Sequence, residues 1–218
     1  MSIAVAVIPF GFAFGIAATD AGLSLWQTSA FSLLVFTGSA QFAAVQVLGS
    51  GGSPLAAIAA GLLLNLRSLA FGVVMASALR GPWWRRALWS QLMIDESTAI
   101  GSAQADLRWR RYGYLCCGLA VFTTWNVSTL IGAGALSSSA GLVSTWGIDA
   151  AIPAAFLGLL WPRLTDPAQR RSALAGALIA VALVPIAPPG VPILAAACGV
   201  AAGWRRRTPV PAQQVPVP

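Results

Sequence analysis

The 218-residue sequence has no histidine, no lysine and few charges of either sign, with 13 arginines against 6 acidic residues. Without histidine it has no imidazole base, no imidazole metal ligand and no histidine pH switch. Without lysine it can form no Schiff base and has no P-loop lysine. These absences exclude Schiff-base enzymes, P-loop nucleotide hydrolases and sites that depend on histidine.

Charged residues make up only 9% of the chain, whereas hydrophobic residues make up 57% and the mean hydropathy is +0.77. About a quarter of the residues in a soluble domain are charged, because its surface needs a polar coat. The chain is also too apolar to be disordered. The composition therefore argues against an ordinary soluble enzyme and indicates a protein with several membrane spans.

Cysteine is scarce as well, and Cys116, Cys117 and Cys198 all lie in apolar runs. Adjacent cysteines rarely pair with each other, and the spacing matches no metal-ligand motif. We interpret the three as small packing residues and expect neither a metal nor a cofactor.

A helical span needs about 20 mostly apolar residues. We therefore predict an all-α integral membrane protein with about seven transmembrane helices. Residues 1–204 would form one polytopic domain, and residues 205–218 a basic, proline-rich, disordered cytoplasmic tail. The predicted spans are 2–19, 26–48, 54–79, 112–134, 147–162, 172–187 and 190–204.

Residues 87–105 are ambiguous, because this mildly apolar stretch includes acids and hydroxyls and has arginines on both flanks. Both flanks therefore favour the cytoplasm. The stretch could be a re-entrant or broken helix, an interfacial helix, or a tight pair of half-spans. Non-helical backbone at membrane depth needs burial in protein or a watery cavity.

The net charge of +7 reflects short arginine clusters between apolar stretches, a pattern that indicates the positive-inside rule rather than nucleic-acid binding. If residues 87–105 return to the side they left, every arginine outside the spans is cytoplasmic, and so is the C-terminus. The first residue then lies outside the cell. The first three spans run opposite to the next three, which allows an inverted repeat, although the halves show no convincing sequence repeat.

Arg67 lies near the middle of the third predicted span, in the stretch LLLNLRSLAF. An arginine at that depth costs about 2.5–3.5 kcal/mol on insertion scales, so it needs a partner. That partner could be an acid, a helix C-terminus or an anionic ligand. Arg67 could anchor a substrate carboxylate or gate access, or it could form a fixed structural ion pair.

Three acids are candidates for pairing with Arg67 or for coupling transport to protons: Asp95, Glu96 and Asp149. Asp95 and Glu96 point about 100° apart if they are helical, so one could face a cavity while the other caps or pairs. Asp149 opens the fifth predicted span, where an acid also suits the helix dipole.

Polar side chains inside the other spans need hydrogen-bond partners as well. Gln41, Asn65 and Asn126 could bond a substrate, or they could bond neighbouring helices. Gly38 precedes Gln41 in a run of small residues that permits close helix contact.

The first span contains Pro9, Gly11 and Gly15. The two glycines have the small-xxx-small spacing of close helix packing, and Pro9 can kink the helix. Short spans interrupted by glycine or proline are also expected where a transporter unwinds at its binding site.

Taken together, these segments resemble the AzlC family of branched-chain amino acid permease subunits over roughly residues 5–200. The motifs that carry the resemblance are PFGFAFG at 9–15, FTGSAQF at 36–42, NLRSL at 65–69, Asp95-Glu96, and GIDAAIP at 147–153. The resemblance implies export or exchange of valine, leucine, isoleucine or related amino acids across the cytoplasmic membrane. It also implies a small multi-span partner of the AzlD type.

The leading hypothesis is a secondary-transporter subunit in which Arg67 binds the substrate carboxylate or a mobile acid, with Asn65 and Gln41 nearby. A transporter of another small solute and a non-transporting membrane scaffold remain as alternatives. An intramembrane enzyme is disfavoured, because the sequence offers no recognisable nucleophile–base pair and no catalytic residue.

Overall fold

The computed structural model describes residues 2–136, 157–158 and 160–203, and within these ranges the chain is helical without any strand. A π-helical turn extends α9 over Gly132–Leu136, and 3-10 turns cover Trp161–Thr165 and Ala197–Gly203. The α-helices are α1 Ser2–Ala6, α2 Ile8–Asp20, α3 Leu25–Leu34, α4 Ser39–Gly49, α5 Pro54–Asn65, α6 Arg67–Met75, α7 Trp83–Ser90, α8 Asp95–Ser102, α9 Leu107–Ile131, α10 Pro167–Leu183 and α11 Val191–Ala196.

Two described helical segments, Ile3–Asp20 and Leu107–Ala135, are long and apolar enough to cross a membrane. A third qualifies if α5 and α6, bent by 40°, form one broken span. The all-helical apolar architecture agrees with the prediction, whereas the described residues do not confirm seven crossings. The predicted span 147–162 lies almost wholly outside the described residues, and so does the tail 205–218.

Local sequence signals set where several helices begin. Ser24 and Gln27 form a capping box at the start of α3, with each side chain accepting a hydrogen bond from the other residue's backbone. Ser53 caps α5, Asp106 caps α9 and Asp166 caps α10. Each cap satisfies a backbone N–H that has no partner inside the helix.

The helices α2 and α9 run parallel through the centre of the chain. Gly11 of α2 faces Ser128, and one turn later Gly15 faces the backbone of Thr129 and Ala133. Because the residue numbers of the contacting positions increase together in α2 and α9, the two helices run in the same direction. The prediction gave the first span and the span 112–134 opposite directions, and this is wrong.

The reason for that error lies in residues 26–48, which do not make a single crossing. The helices α3 and α4 are separated by an irregular turn at 35–38. The end of α4 returns to the end of α2, where a Cβ on Gly49 would lie 3.4 Å from Ala21. The Phe14 ring lies 5.9 Å from Phe31 of α3 and 5.6 Å from Phe42 of α4, so the two arms lie at the same depth.

Residues 79–104 likewise start and finish at the same end of the folded molecule, the end at which α9 begins. Leu79 packs in one buried cluster with Tyr114, and the Arg110 guanidinium donates to the Gln104 carbonyl oxygen. Between them, α7 and α8 are joined by an irregular turn at 91–94. Of the alternatives open for 87–105, the structure agrees with a broken helix, since two short helices, Trp83–Ser90 and Asp95–Ser102, are separated by this turn.

Arginines cluster at one end of the folded molecule, the end at which α9 begins. We call it the arginine end, and the opposite end the far end. The Arg111 guanidinium lies 5.4 Å from the Trp89 ring of α7. The turn before α11 lies at the opposite end, because Gly190 approaches Val47 and Ala56. The helix α10 ends shortly before this turn, and Arg170 and Arg171 lie near its start. The arginines of α7, of the first turns of α9 and of the loop before α7 lie at the arginine end: Arg80, Arg85, Arg86, Arg108, Arg110 and Arg111.

Candidate functional site

Both irregular turns reach the middle of α9. Phe36, in the turn between α3 and α4, stacks edge-on against Phe122 at 5.0 Å between ring centroids. Ile94, in the turn between α7 and α8, packs in the same buried cluster as Val121 and Trp125. These α9 residues lie near the centre of the segment Leu107–Ala135. The two turns, named here the 35–38 turn and the 91–94 turn, therefore meet at mid-depth.

Arg67 connects the two turns from the bend between α5 and α6. Its Nη1 lies 3.0 Å from Asp95 Oδ2, just after the 91–94 turn. Its Nη2 donates to the Thr37 carbonyl oxygen at 3.3 Å, in the 35–38 turn. The side chains of Arg67 and Asp95 are 41% and 36% exposed, so one face of the pair is open. The planar guanidinium suits this double contact, because its donors are fixed in a fork.

Three helices begin at this point: α4 at Ser39, α6 at Arg67 and α8 at Asp95. The first N–H groups of a helix lack internal partners, and its N-terminus carries a partial positive charge. Asp95 is stabilised there, whereas Arg67 adds a further positive charge. Because α3, α5 and α7 end at the same two turns and bend, their partial negative charges oppose this effect, and the site presents one positive group, Arg67, beside one negative group, Asp95.

Gln41 holds the 35–38 turn rather than reaching freely into the site. The side chain is fully buried, and its Oε1 accepts hydrogen bonds from the backbone N–H of Gly38 at 3.0 Å and of Thr37 at 3.4 Å. Gly38 has φ +58°, a left-handed conformation that favours glycine. Only the Gln41 amide donor remains for another partner.

Two other predicted site residues bond within their own segment. The Ser68 hydroxyl donates to Asn65 Oδ1 at 2.6 Å across the bend between α5 and α6. Asn126 Nδ2 donates to the Phe122 carbonyl oxygen at 2.8 Å, one turn back in α9. Asn65 therefore shapes the segment that carries Arg67, and Asn126 lies on the side of α9 that faces the 35–38 turn.

Several buried polar atoms around the two turns have no hydrogen-bond partner among the described residues. A buried polar group without a partner costs about 1–3 kcal/mol. Polar groups of a ligand, or water, would recover that cost. The atoms are Thr37 Oγ1, Gln41 Nε2, Asp95 Oδ1, Thr98 Oγ1, Trp125 Nε1 and Asn126 Oδ1.

Pro9, Gly11 and Gly15 lie away from this centre. Pro9 is the second residue of α2, a position that tolerates proline because its missing N–H would be unpaired. Gly11 and Gly15 lie against α9, where a Cβ would collide with Ser128, Thr129 or Ala133. The glycines thus allow the close approach of the two parallel helices, and this approach positions α9 behind the site.

The other two candidate acids are Glu96 and Asp149. Glu96 follows Asp95 in α8 and has no ion-pair partner among the described residues. Asp149 lies outside the described part of the chain. Of the three candidate acids, the structure brings Asp95 to Arg67.

Sequence reasoning missed Thr37, Gln91 and Thr98. Gln91 Nε2 donates to the carbonyl oxygens of Leu33 at 2.7 Å and Leu34 at 3.2 Å, so it joins the start of the 91–94 turn to the end of α3. The one signal for Gln91 was a polar amide in a mildly apolar stretch. A carbonyl contact such as that of Thr37 leaves no trace in a sequence pattern.

Comparison with known proteins gives consistent matches over most of the chain. The model of the "AzlC protein" family matches residues 2–138. "Inner membrane protein YgaZ" of Escherichia coli is 29% identical over 86% of this chain and 81% of its own. An uncharacterised membrane protein of Archaeoglobus fulgidus is 29% identical, with coverage of 93% and 90%.

"Branched-chain amino acid transport protein AzlC" of Bacillus subtilis is 27% identical over 79% of this chain and 68% of its own. No solved structure matches. The family model covers more than half of the chain, which confirms the resemblance carried by the motifs. The chain is a membrane protein of the AzlC family.

Proposed function

We propose that the chain is a subunit of a secondary transporter that exports branched-chain or similar small amino acids across the cytoplasmic membrane. The observation that carries this proposal is the half-open ion pair of Arg67 and Asp95, located where three helices begin. The relative named for branched-chain amino acid transport supports the substrate class.

A zwitterionic amino acid suits this pair because it offers each charge a new partner. Its carboxylate binds Arg67 and the free N–H groups at the start of α4, and its ammonium group binds Asp95. Asp95 Oδ1 is already buried without a partner among the described residues. The exchange leaves the net charge of the site unchanged, whereas an anion or cation alone would leave one charge of the half-open pair without a partner.

Apolar side chains from both turns and from α9 border the site. Phe36 and Ile94 lie in the two turns and Phe122 contacts Phe36, so these three are candidates to contact a branched aliphatic side chain. Such contact is worth roughly 25 cal/mol for each Å² of apolar surface removed from water. A valine or leucine side chain therefore gains binding energy here, and a charged side chain gains none.

The apolar face beside Arg67 supports a second membrane protein as a partner, of the small AzlD type. The face comprises Leu62, Leu66, Leu69 and Val73 on α5 and α6, which are 56–78% exposed. An ion pair at mid-depth is costly against lipid, so a partner that covers this face would stabilise it. The last 3-10 turn packs near the start of α10, which supports a cytoplasmic C-terminus.

The test is efflux of valine and leucine from preloaded cells that express the chain with and without a small AzlD-type protein. We expect efflux only when both proteins are present. If neither condition moves amino acid while both proteins reach the membrane, the proposed substrate is wrong.

Exchanging Asp95 for Asn should change how transport depends on pH, because Asn cannot carry or release a proton. We expect Asp95→Asn to lower leucine efflux and to flatten its pH profile, with Glu96→Gln, the adjacent acid without an ion pair, as the matched control. The measurement is leucine efflux against external pH. An Asp95→Asn profile that parallels the wild-type profile contradicts a coupling role for Asp95.

A further inference from the structure

We infer that residues 2–49 and 54–102 are two repeats of opposite orientation, each a crossing segment followed by a re-entrant helical hairpin. The hairpins α3–α4 and α7–α8 enter the membrane from opposite sides, and their turns meet at its centre. This inference concerns the path of the chain, so it does not depend on the substrate proposed above.

The crossing segment of the first repeat consists of α1 and α2, and α2 runs parallel to α9 and away from the arginine end. Its hairpin starts and finishes at the far end, where Ala21 and Gly49 approach each other. The start of α3 lies beside the end of α9, with Leu25 close to Gly134. The Ser32 hydroxyl lies 3.5 Å from that of Thr129, and Phe36 contacts Phe122, which is nearer the middle of α9.

The second repeat runs in the opposite direction. Antiparallel packing of α5 on α4 would place a Cβ on Gly61 3.5 Å from the Ala40 carbonyl oxygen, so α5 starts at the far end. The segment then passes Arg67 and ends at Met75, which packs on Tyr114 near the arginine end.

The hairpin of the second repeat starts and finishes at the arginine end. Gln104 near its end contacts Arg110 in the first turn of α9. Leu92 reaches Gly118, two turns further along α9. The two hairpins thus point in opposite directions, and each enters from a different end of α9.

The sequence carries a trace of the same relation. A shift of 57 residues places Ala13-Phe14-Gly15 of α2 on Ala70-Phe71-Gly72 of α6, and Trp26 of α3 on Trp83 of α7. The same shift places Gly38, in the first turn, on Asp95 at the end of the second. A single shift of 57 residues, with no insertion or deletion, therefore aligns the order of the helices and the positions of the turns in the two repeats.

Opposed hairpins give each side of the membrane its own gate. The 35–38 turn separates the site from the far side, and the 91–94 turn separates it from the arginine end. Arg67 binds both turns, and Gln91 ties the second turn to α3. Withdrawal of one turn would open the site to one side only, which is the requirement for alternating access.

The test is the sidedness of single cysteines in a variant whose Cys116, Cys117 and Cys198 are replaced by Ala. A membrane-impermeant maleimide is applied to intact cells and then to permeabilised cells. We expect Asp20→Cys and Ser50→Cys, which flank the first hairpin, to be labelled in intact cells. Arg80→Cys and Ala103→Cys, which flank the second, should be labelled only after permeabilisation, because arginine-rich ends face the cytoplasm.

Labelling of Asp20→Cys and Ser50→Cys from opposite sides would overturn the first hairpin, and the same result for Arg80→Cys and Ala103→Cys would overturn the second. Reversal of both pairs together would overturn the assignment of the arginine end to the cytoplasm. If a variant fails to reach the membrane, Ser24→Cys, Ser53→Cys or Ser102→Cys replaces it. These serines are exposed, and Ser24 and Ser53 have φ -67° and -70°, so none of the changes places a side chain on left-handed backbone. Labelling needs no transport, so it separates this inference from the proposed function.

Discussion

Replacing Arg67 with Lys is expected to abolish most amino acid efflux while the protein remains in the membrane. The guanidinium reaches Asp95 with one nitrogen and the Thr37 carbonyl oxygen with another. Lysine is a point charge and does not reproduce this fork. Loss of one hydrogen bond to a charged group costs about 1.5–3 kcal/mol, which corresponds to about a 10- to 150-fold loss of efflux.

The matched control is Arg85→Lys, because Arg85 is exposed on α7, lies over the Trp84 ring at 4.9 Å and forms no ion pair with a described residue. Efflux and membrane abundance should both be unchanged in that variant. Membrane abundance is measured by immunoblot beside efflux. If Arg67→Lys loses abundance but transports normally per molecule, Arg67 belongs to a structural ion pair and the scaffold alternative gains support.

Replacing Gly15 with Ala should destabilise the packing of α2 on α9. The added Cβ would collide with the backbone of Thr129 and Ala133, which cannot rotate away as a side chain can. Overpacking costs about 1–3 kcal/mol, and alanine's helix propensity returns about 1 kcal/mol at most. We expect a lower midpoint of thermal unfolding in detergent and less folded protein in the membrane.

Gly61→Ala is the matched control, because the nearest atom to an added Cβ there, the Ala40 carbonyl oxygen, is at an ordinary 3.5 Å. That variant should be as stable as the wild type or slightly more so. Equal stability of the two variants would show that α2 and α9 are not in close contact in the folded protein.

The family and the central residue were accessible from the sequence because their signals are local. A lone arginine among leucines needs a partner at any membrane depth, and Asp95 was among the three acids considered for it. The glycine spacing in the first span likewise predicts close packing, although not the helix it meets. Composition alone was enough to predict an apolar, all-helical chain.

The path of the chain could not be predicted from the sequence, because hydropathy gives the length of an apolar segment but not the direction in which it runs. Residues 26–48 are long enough for a span, yet α3 ends at Leu34 and α4, which starts after Gly38, runs back. Reading that hairpin as one crossing reversed the direction assigned to the first span. Backbone contacts such as those of Thr37 and Gln91 depend on tertiary structure and leave no periodic pattern.

The most direct test of the central claim is competition of leucine analogues against labelled-leucine efflux in reconstituted vesicles. Leucinol lacks the carboxylate that Arg67 would bind, and 4-methylpentanoate lacks the ammonium group that Asp95 would bind. We expect both to compete about 10- to 150-fold less well than leucine, since each loses a hydrogen bond to a charged group. Either analogue competing as well as leucine would contradict recognition of a zwitterion by Arg67 and Asp95.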